Sequence, residues 1–201
     1  MVRLASLLIC LTILLALVTP ACSAALPMRP YSGIGVLQIT GDSFGDGLQL
    51  YEEPGLVRCG TLTAAAAHQL TAWLFGPGDE VHLLVTARKG EWLRIERDDA
   101  GRQAWLYGLR RWNYATWEQF LKGKQISFLR NAPRQQLQVY PYPEAANGPP
   151  LLSYEPLKVI MVQGDWSYVL FDRFNAGWIR WRDHDGRLLV GLAPNPTSES
   201  R

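Results

Sequence analysis

The residues with the clearest catalytic pattern lie between Gly41 and Gly45, where Ser43 occupies the centre of a Gly-x-Ser-x-Gly motif. A serine in this motif acts as a nucleophile when a strained turn between a strand and a helix exposes its hydroxyl. A histidine and an acid must lie beside the serine to take up its proton. Asp79 and His82 supply those two residue types further along the chain. The motif therefore raises the hypothesis of a serine hydrolase.

The same residues resemble the Gly-Asp-Ser block of a large family of esterases, and Asp79 with His82 is similar to that family's Asp-x-x-His pair. Two features oppose this hypothesis. Leu48–Tyr51 has the pattern of a strand where a helix is required. In the esterases the Asp-x-x-His pair lies near the C-terminus, whereas here it follows Ser43 too closely for α/β layers to intervene. We expect a Gly- and Asp-rich hairpin turn and no catalytic residue, with a serine esterase using Ser43 as the alternative.

Metal and thiol chemistry have weaker signals. A partial calcium-loop pattern is formed by Asp42, Asp46, Gly47 and Glu53. Phe44 occupies a position in it that should bind the metal, and no helices are expected to flank it. No pair of the three histidines has zinc-site spacing. Cys59 is a lone thiol of the kind that is usually only buried. We expect no metal and no cofactor.

Aromatic and basic residues give the main functional clue, since the chain has eight Trp and eight Tyr. Flat aromatic faces suit grooves that bind extended peptides or sugars. One segment interleaves Arg110, Arg111, Lys122 and Lys124 with Trp112, Tyr114, Trp117 and Phe120. In the cytoplasm this pattern would favour nucleic-acid binding, but the net charge of +2 does not support a polyanionic partner. We interpret it as a linker helix with solvated charges; anionic lipid heads, acidic glycans or an acidic protein face are the alternatives.

The N-terminus predicts export and therefore no nucleic-acid partner. Arg3 precedes an apolar run at Leu7–Val18 that is typical of a signal-peptide core. The run is shorter than the about 20 residues that a membrane-spanning helix needs. Small residues follow, and we favour cleavage after Ala24 or Ala25, which makes residues 1–24 the signal peptide. We expect a protein of the bacterial periplasm or cell envelope.

Cys22 offers a competing cleavage site. Ala21 and Ser23 around it resemble a lipoprotein signal, in which the new N-terminal cysteine carries the lipid, although Thr19 and Pro20 depart from that pattern. In this alternative, a lipid on Cys22 is the protein's only contact with the membrane. In both cases Cys59 has no intramolecular partner, so disulfides do not hold the fold together.

The chain also repeats itself. Without a gap, residues 36–54 overlay residues 125–143 and align Tyr51 with Tyr140. The serine-containing turn of the first copy falls on Arg130–Gln136, which has no serine. A second match aligns Gly90–Trp92 with Gly164–Trp166, and Trp105 with Trp178. Such self-similarity indicates one structural unit used twice.

Each unit has the pattern of short strands separated by Gly and Pro. Tight turns are expected at Asp98–Gly101 and Asp185–Gly186, with the same part in both units. Two helices interrupt the strands. Thr116 with Gln119 predicts a short capped helix that ends at Gly123, and Thr61–Phe75 predicts another in the longer loop of the first unit.

The Gly, acidic residue and Trp followed by an aliphatic, an acidic hairpin and a second Trp resemble the bacterial Src-homology-three-type (SH-three-like) domain. Trp92 with Ile95 and Trp105 carries this resemblance in the first unit, and Trp166 with Val169 and Trp178 carries it in the second. The resemblance implies an all-β fold of two small SH-three-like β-barrels in tandem. The expected boundaries are 31–112 for the first barrel, 113–123 for a linker helix, 124–193 for the second barrel and 194–201 for a flexible tail.

The resemblance further implies a non-catalytic binding or scaffolding module, with a peptidoglycan peptide or an envelope protein as ligand. Aromatic residues near the loops would line the groove: Tyr140, Tyr142, Trp166, Trp178, Tyr51 and Trp92. For Trp105 and Trp178 we favour a different role, the filling of a barrel core. In the first unit, Gln103 and Ala104 replace the usual Gly before Trp105. The oligomeric state is left open.

Overall fold

The computed structural model describes residues 28–40, 43–76, 78–110, 112–146, 148–150, 156–171 and 175–193. The expected signal peptide (1–24), the alternative lipidation site at Cys22 and the expected flexible tail (194–201) lie outside these residues, as do Gly41, Asp42 and Arg111.

The described residues are mostly β, as the sequence predicts. The first part of the chain contains β1 (Gly35–Thr40), β2 (Leu48–Tyr51), β3 (Arg58–Leu62), α1 (Ala64–Phe75), β4 (Glu80–Lys89), β5 (Trp92–Glu96), β6 (Gln103–Tyr107) and β7 (Asn113–Thr116). The second part contains α2 (Trp117–Leu121), β8 (Gln125–Phe128), a 3-10 turn (Arg134–Gln136), β9 (Leu157–Gln163), β10 (Trp166–Leu170), β11 (Ala176–Arg180) and β12 (Val190–Leu192).

The strands form two antiparallel sheets with one pairing pattern. The first sheet has the order β3-β2-β6-β5-β4-β1-β7 and the second β11-β10-β9-β8-β12. β1 pairs with β4 and β7, as β8 pairs with β9 and β12. Tyr51 pairs with Trp105 of β6, and Tyr140 bridges Trp178 of β11. Within the described pairings both sheets are open, so the closed barrels that we expected are not formed by strand pairing.

Two matching turns join the central hairpins of the sheets. Lys89 faces Trp92 across the β4–β5 turn, and Gln163 faces Trp166 across the β9–β10 turn. Gly90 and Gly164 have φ values of 60° and 56° at the first turn position. A two-residue hairpin turn of the II′ type requires a positive φ at that position, which glycine adopts without steric cost.

Both expected helices are present, and the one expected from Thr61 starts later than predicted. In the expected linker 113–123, Asn113–Thr116 is a strand that pairs with β1, so the helix is confined to Trp117–Leu121. Its capping box is present as predicted, with Thr116 and Gln119 bonded reciprocally. The helix expected over Thr61–Phe75 is confirmed from Ala64 onward. Thr61 and Leu62, the first residues of the expected range, belong to β3 and pair with β2.

The expected equivalence of the two acidic turns is wrong. Asp98 and Asp183 each accept hydrogen bonds from the backbone N–H groups two and four residues later, so the local turns are alike. The Asp98 turn joins β5 to β6, whereas the Asp183 turn lies between β11 and β12. The same type of Asp turn therefore connects different strands in the two units.

The two sheets share a packed interface. One core is enclosed by the first sheet and α1 and contains Leu37, Ile39 and Ile95. A second core joins the second sheet and α2 to Val36, Leu84 and Ala115 on the other face of the first sheet. The C-terminal end of α1 contributes Leu74 and Phe75 to it. Because β1 and β4 are covered on both faces, their apolar residues form nearly continuous runs.

Residues 29–32, which precede β1, dock on the segment 183–188 between β11 and β12. Tyr31 bridges Arg187, and the backbone of Ser32 and Pro30 bonds to Gly186 and Leu188. Arg29 bonds to Asp183 at 2.8 Å. Tyr31 and Ser32 therefore contact the second unit before the chain enters β1.

Candidate functional site

One face of the first sheet carries a continuous aromatic array, which we call the first aromatic face: Tyr51, Trp92, Arg94, Trp105 and Tyr107. Trp92 pairs with Tyr107 across β5 and β6, and Arg94 pairs with Trp105. Residues alternate between the two faces of a strand, so Leu93, Ile95 and Leu106 point the other way and are buried in the core. The core is therefore complete without the aromatic array.

The rings of the first aromatic face contact each other edge to face. The centroids of Tyr51 and Trp92 lie 5.2 Å apart at 86°, and those of Trp92 and Tyr107 lie 5.4 Å apart at 71°. The Arg94 guanidinium lies 5.6 Å from the Trp105 centroid. Tyr107 is 49% exposed and the other four are half-buried. Part of this ring surface, above all that of Tyr107, is accessible to a ligand.

The second sheet repeats the array as a second aromatic face: Tyr140, Trp166, Tyr168, Trp178 and Arg180. Tyr140 contacts Trp166 at 5.0 Å and 85°, which is nearly the geometry of its counterpart. Tyr140 Oη donates to Gln138 at 2.8 Å, as Tyr51 Oη donates to Gln49 at 3.2 Å. The alignment of Tyr51 with Tyr140 and of Trp92 with Trp166 therefore corresponds to a shared local geometry.

The two faces differ by an exchange of one tyrosine and one arginine. Trp92 is covered by Tyr107 and its counterpart Trp166 by Arg180, which lies 4.5 Å from the ring centroid. Conversely, Trp105 is covered by Arg94, whereas Trp178 is covered by Tyr168 at 5.3 Å. Trp166 is only 7% exposed. The first face is thus the more open of the two.

A groove meets the first aromatic face at Tyr51 and Tyr107. It has a volume of about 250 Å³ and is lined by Phe44, Leu48, Tyr51, Leu106, Tyr107 and Trp112, among others. At the other side of the face, the loop after β2 approaches the Trp92 indole at Gly55, and Leu56 and Val57 follow it at 71% and 61% exposed. The first unit therefore has a groove on one side of its aromatic face and an exposed apolar loop on the other.

The six sequence-predicted binding residues fall into two groups. Tyr51 with Trp92, and Tyr140 with Trp166 and Trp178, are brought together on the two faces. Tyr142 is 62% exposed and lies outside both arrays. Trp105 and Trp178, which we favoured as core residues, are half-buried on the outer faces. Ala104 and Gly177 occupy the buried positions beside them.

Sequence reasoning missed Tyr107, Arg94, Tyr168 and Arg180. The signal was available in the alternation of β5 and β6, because Trp92 and Arg94 share one face of β5 and Trp105 and Tyr107 share one face of β6. Glu96 follows Trp92 and Arg94 on the same face of β5 and pairs with Gln103 of β6. Burial and the nearby Asp98 charge raise the pKa of Glu96 above its usual value. The first aromatic face is therefore bordered by a carboxyl that holds its proton more strongly than usual.

The hydrolase residues are held by other contacts. Ser43 Oγ lies 2.9 Å from Thr40 Oγ1, and β2 follows it as a strand. No histidine of the described chain hydrogen-bonds to Ser43. His82 packs between Phe75 and Phe120 at 4.9 and 5.5 Å. Burial lowers the pKa of His82 and the Lys124 charge lowers it further, against an opposing effect of Glu80.

Metal binding, thiol chemistry and membrane insertion have little support among the described residues. In that part of the chain, no group of three or more His, Cys, Asp and Glu side chains is placed to hold a metal. Cys59 is a half-buried free thiol on β3. Of the helices among the described residues, none has the length and apolar character needed to span a membrane.

Comparisons with known proteins add no assignment: no family model, no curated protein and no solved structure matches this chain.

Proposed function

We propose that this chain is a non-catalytic binding protein of the bacterial cell envelope, built from two SH-three-like units. The shared pairing pattern of the two sheets and the matching Tyr–Trp contacts support a duplicated unit. Export rests on the apolar run Leu7–Val18. A lipid on Cys22 is an alternative means of holding the protein at the membrane.

The first aromatic face and its groove form the proposed binding site. The observation that carries this proposal is that Tyr51 and Tyr107, whose rings both contact Trp92, line a groove, and that Tyr107 is 49% exposed. The apolar rings on the outer face are not part of the enclosed core. Exposed apolar patches of this kind mark interaction sites, which supports a binding role. An aromatic-lined groove suits an extended peptide, whose backbone and side chains can lie along the rings. The proposed ligand is a peptidoglycan stem peptide, or a peptide segment of an envelope protein.

The test is co-sedimentation of the protein with purified peptidoglycan sacculi. The double variant Trp92→Ala, Tyr107→Ala removes two rings of the first aromatic face, whereas Tyr142→Ala removes an exposed ring outside the arrays. We expect the wild type and Tyr142→Ala to sediment with sacculi and the double variant to stay in solution, with unchanged circular dichroism for all three. Equal sedimentation of all three proteins would contradict the proposed site, and absence of wild-type sedimentation would leave an envelope protein as the ligand.

Fluorophosphonate labelling tests the non-catalytic part of the proposal. A binding protein should not react at Ser43, because the described residues give its hydroxyl no histidine to accept the proton. Labelling of the wild type that is abolished in Ser43→Ala would show a serine hydrolase instead.

A further inference from the structure

A second cleft lies where β1 and β7 meet α2 and the start of β8, away from both aromatic faces. It has a volume of about 400 Å³ and is lined by Gln38, Asn113, Gln119, Phe120, Lys122 and Lys124, together with Tyr114 and Ala115. Phe120 is 3% exposed and Ala115 7% exposed, so they form an apolar floor. The other side chains give the cleft polar walls.

The amide side chains of this cleft present donors. Asn113 Nδ2 donates to Gln38 Oε1 at 2.8 Å, and the Thr116 backbone N–H donates to Gln119 Oε1 at 3.1 Å. Both carbonyl oxygens are therefore engaged, and no described residue accepts from the NH2 group of Gln38 or Gln119. The strand pairing and the capping box fix the orientation of these two amides.

Two ammonium groups complete the set of donors. Lys122 and Lys124 are exposed and flank Gly123, whose N–H is bonded to Val159 at 2.9 Å. Neither lysine forms an ion pair with a carboxylate of the described residues. No carboxylate lines the cleft, and the nearby Glu80 lies 3.6 Å from His82 Nε2. The cleft therefore has a local excess of positive charge.

We propose that this cleft binds a small ligand with a phosphate or carboxylate group. The two lysines would neutralise the anion, and the oriented amides of Gln38 and Gln119 would donate to its oxygens, since hydrogen bonds with charged partners are the stronger kind. Phe120 and Ala115 would contact the apolar part of the ligand. The volume is within the range of small-molecule sites. This inference does not depend on the function proposed for the aromatic faces.

The test is a titration of the protein with inorganic phosphate and, separately, with acetate, followed by NMR of the side-chain NH2 groups. We expect saturable shifts of the NH2 resonances of Gln38 and Gln119, and the ion that binds more tightly identifies the ligand chemistry. The double variant Lys122→Gln, Lys124→Gln should weaken binding at least tenfold. Gln38→Leu keeps the charge, loses one donor and should weaken binding several-fold.

The control is Lys89→Gln, which changes the charge on β4 outside the cleft lining and should leave the affinity unchanged. A clear loss of affinity in Lys89→Gln would show general charge attraction and overturn the proposal. It would also be overturned if neither anion shifts the resonances of Gln38 and Gln119. Because both readouts are independent of sacculi, failure here leaves the aromatic-face proposal intact.

Discussion

Replacement of Asp183 should weaken the docking of residues 29–32 on the segment 183–188. The Asp183 side chain is 4% exposed and accepts from Arg29 at 2.8 Å and from the backbone of Asp185 and Arg187 at 3.0 and 2.9 Å. Removal of one member of a buried ion pair costs about 3–5 kcal/mol. Arg29 is 13% exposed and can regain some water, so we expect Asp183→Ala to lose about 3 kcal/mol of unfolding free energy.

Two further variants separate the parts of this effect. Asp183→Asn keeps an oxygen for the two backbone N–H groups and loses only the charged bond, so it should cost about 1.5–3 kcal/mol. Arg29→Ala leaves Asp183 with both backbone donors and should cost less than Asp183→Ala. Urea unfolding of the purified proteins measures all three free energies.

The pH dependence of unfolding gives an independent check on Asp183. Burial raises its pKa, but the Arg187 N–H, the Arg29 bond and charge and the Asp185 N–H outweigh burial, so the pKa lies below its usual value. The stabilisation is therefore complete above the unfolded pKa of about 4 and is lost as the pH falls below it. A loss under about 1 kcal/mol in Asp183→Ala would refute this account of the docked segment.

Three other substitutions test the packing. A methyl group at Gly177 would overlap the Val139 side chain, so Gly177→Ala should cost about 1–3 kcal/mol in urea unfolding, whereas Ala104, its counterpart in the first sheet, is tolerated. A methyl group at Gly191 would overlap the Leu74 carbonyl; Gly191→Ala should cost at least as much, and unchanged stability would mean that α1 does not rest on β12. The pKa of His82 is lowered chiefly by burial, so stability should fall as the pH drops below about 6.5, and His82→Phe, which fits between Phe75 and Phe120, should reduce that slope in pH-dependent thermal unfolding.

Local pattern and internal repetition were sufficient to predict much of the fold. The match of Tyr51 with Tyr140 and of Trp105 with Trp178 corresponds to equivalent strand pairings in the two sheets. The capping box at Thr116 and the turns at Gly90 and Gly164 depend on adjacent residues, whose preferences are readable from sequence.

Contacts between distant parts of the chain were not predictable. The pairing of Tyr31 with Arg187 joins residues far apart in sequence, and no periodicity in either segment specifies the partner. The exposure of Trp105 depends on which face of β6 packs on the core. A tryptophan is compatible with either face of a strand. Ala104 is small, so its residue type did not indicate which face of β6 is buried.

The most direct test of the aromatic binding site is a titration with soluble muropeptides, followed through the indole N–H resonances of the tryptophans. Trp117 and Trp181 serve as internal controls, because their indoles are buried and donate to the Ser32 and Gly164 carbonyls at 2.7 and 2.8 Å. We expect saturable shifts at Trp92 and Trp105 that are lost in Tyr107→Ala, with Trp117 and Trp181 unchanged. Absence of shifts at Trp92 and Trp105, or equal shifts at all four indoles, would contradict a peptide site on the first aromatic face.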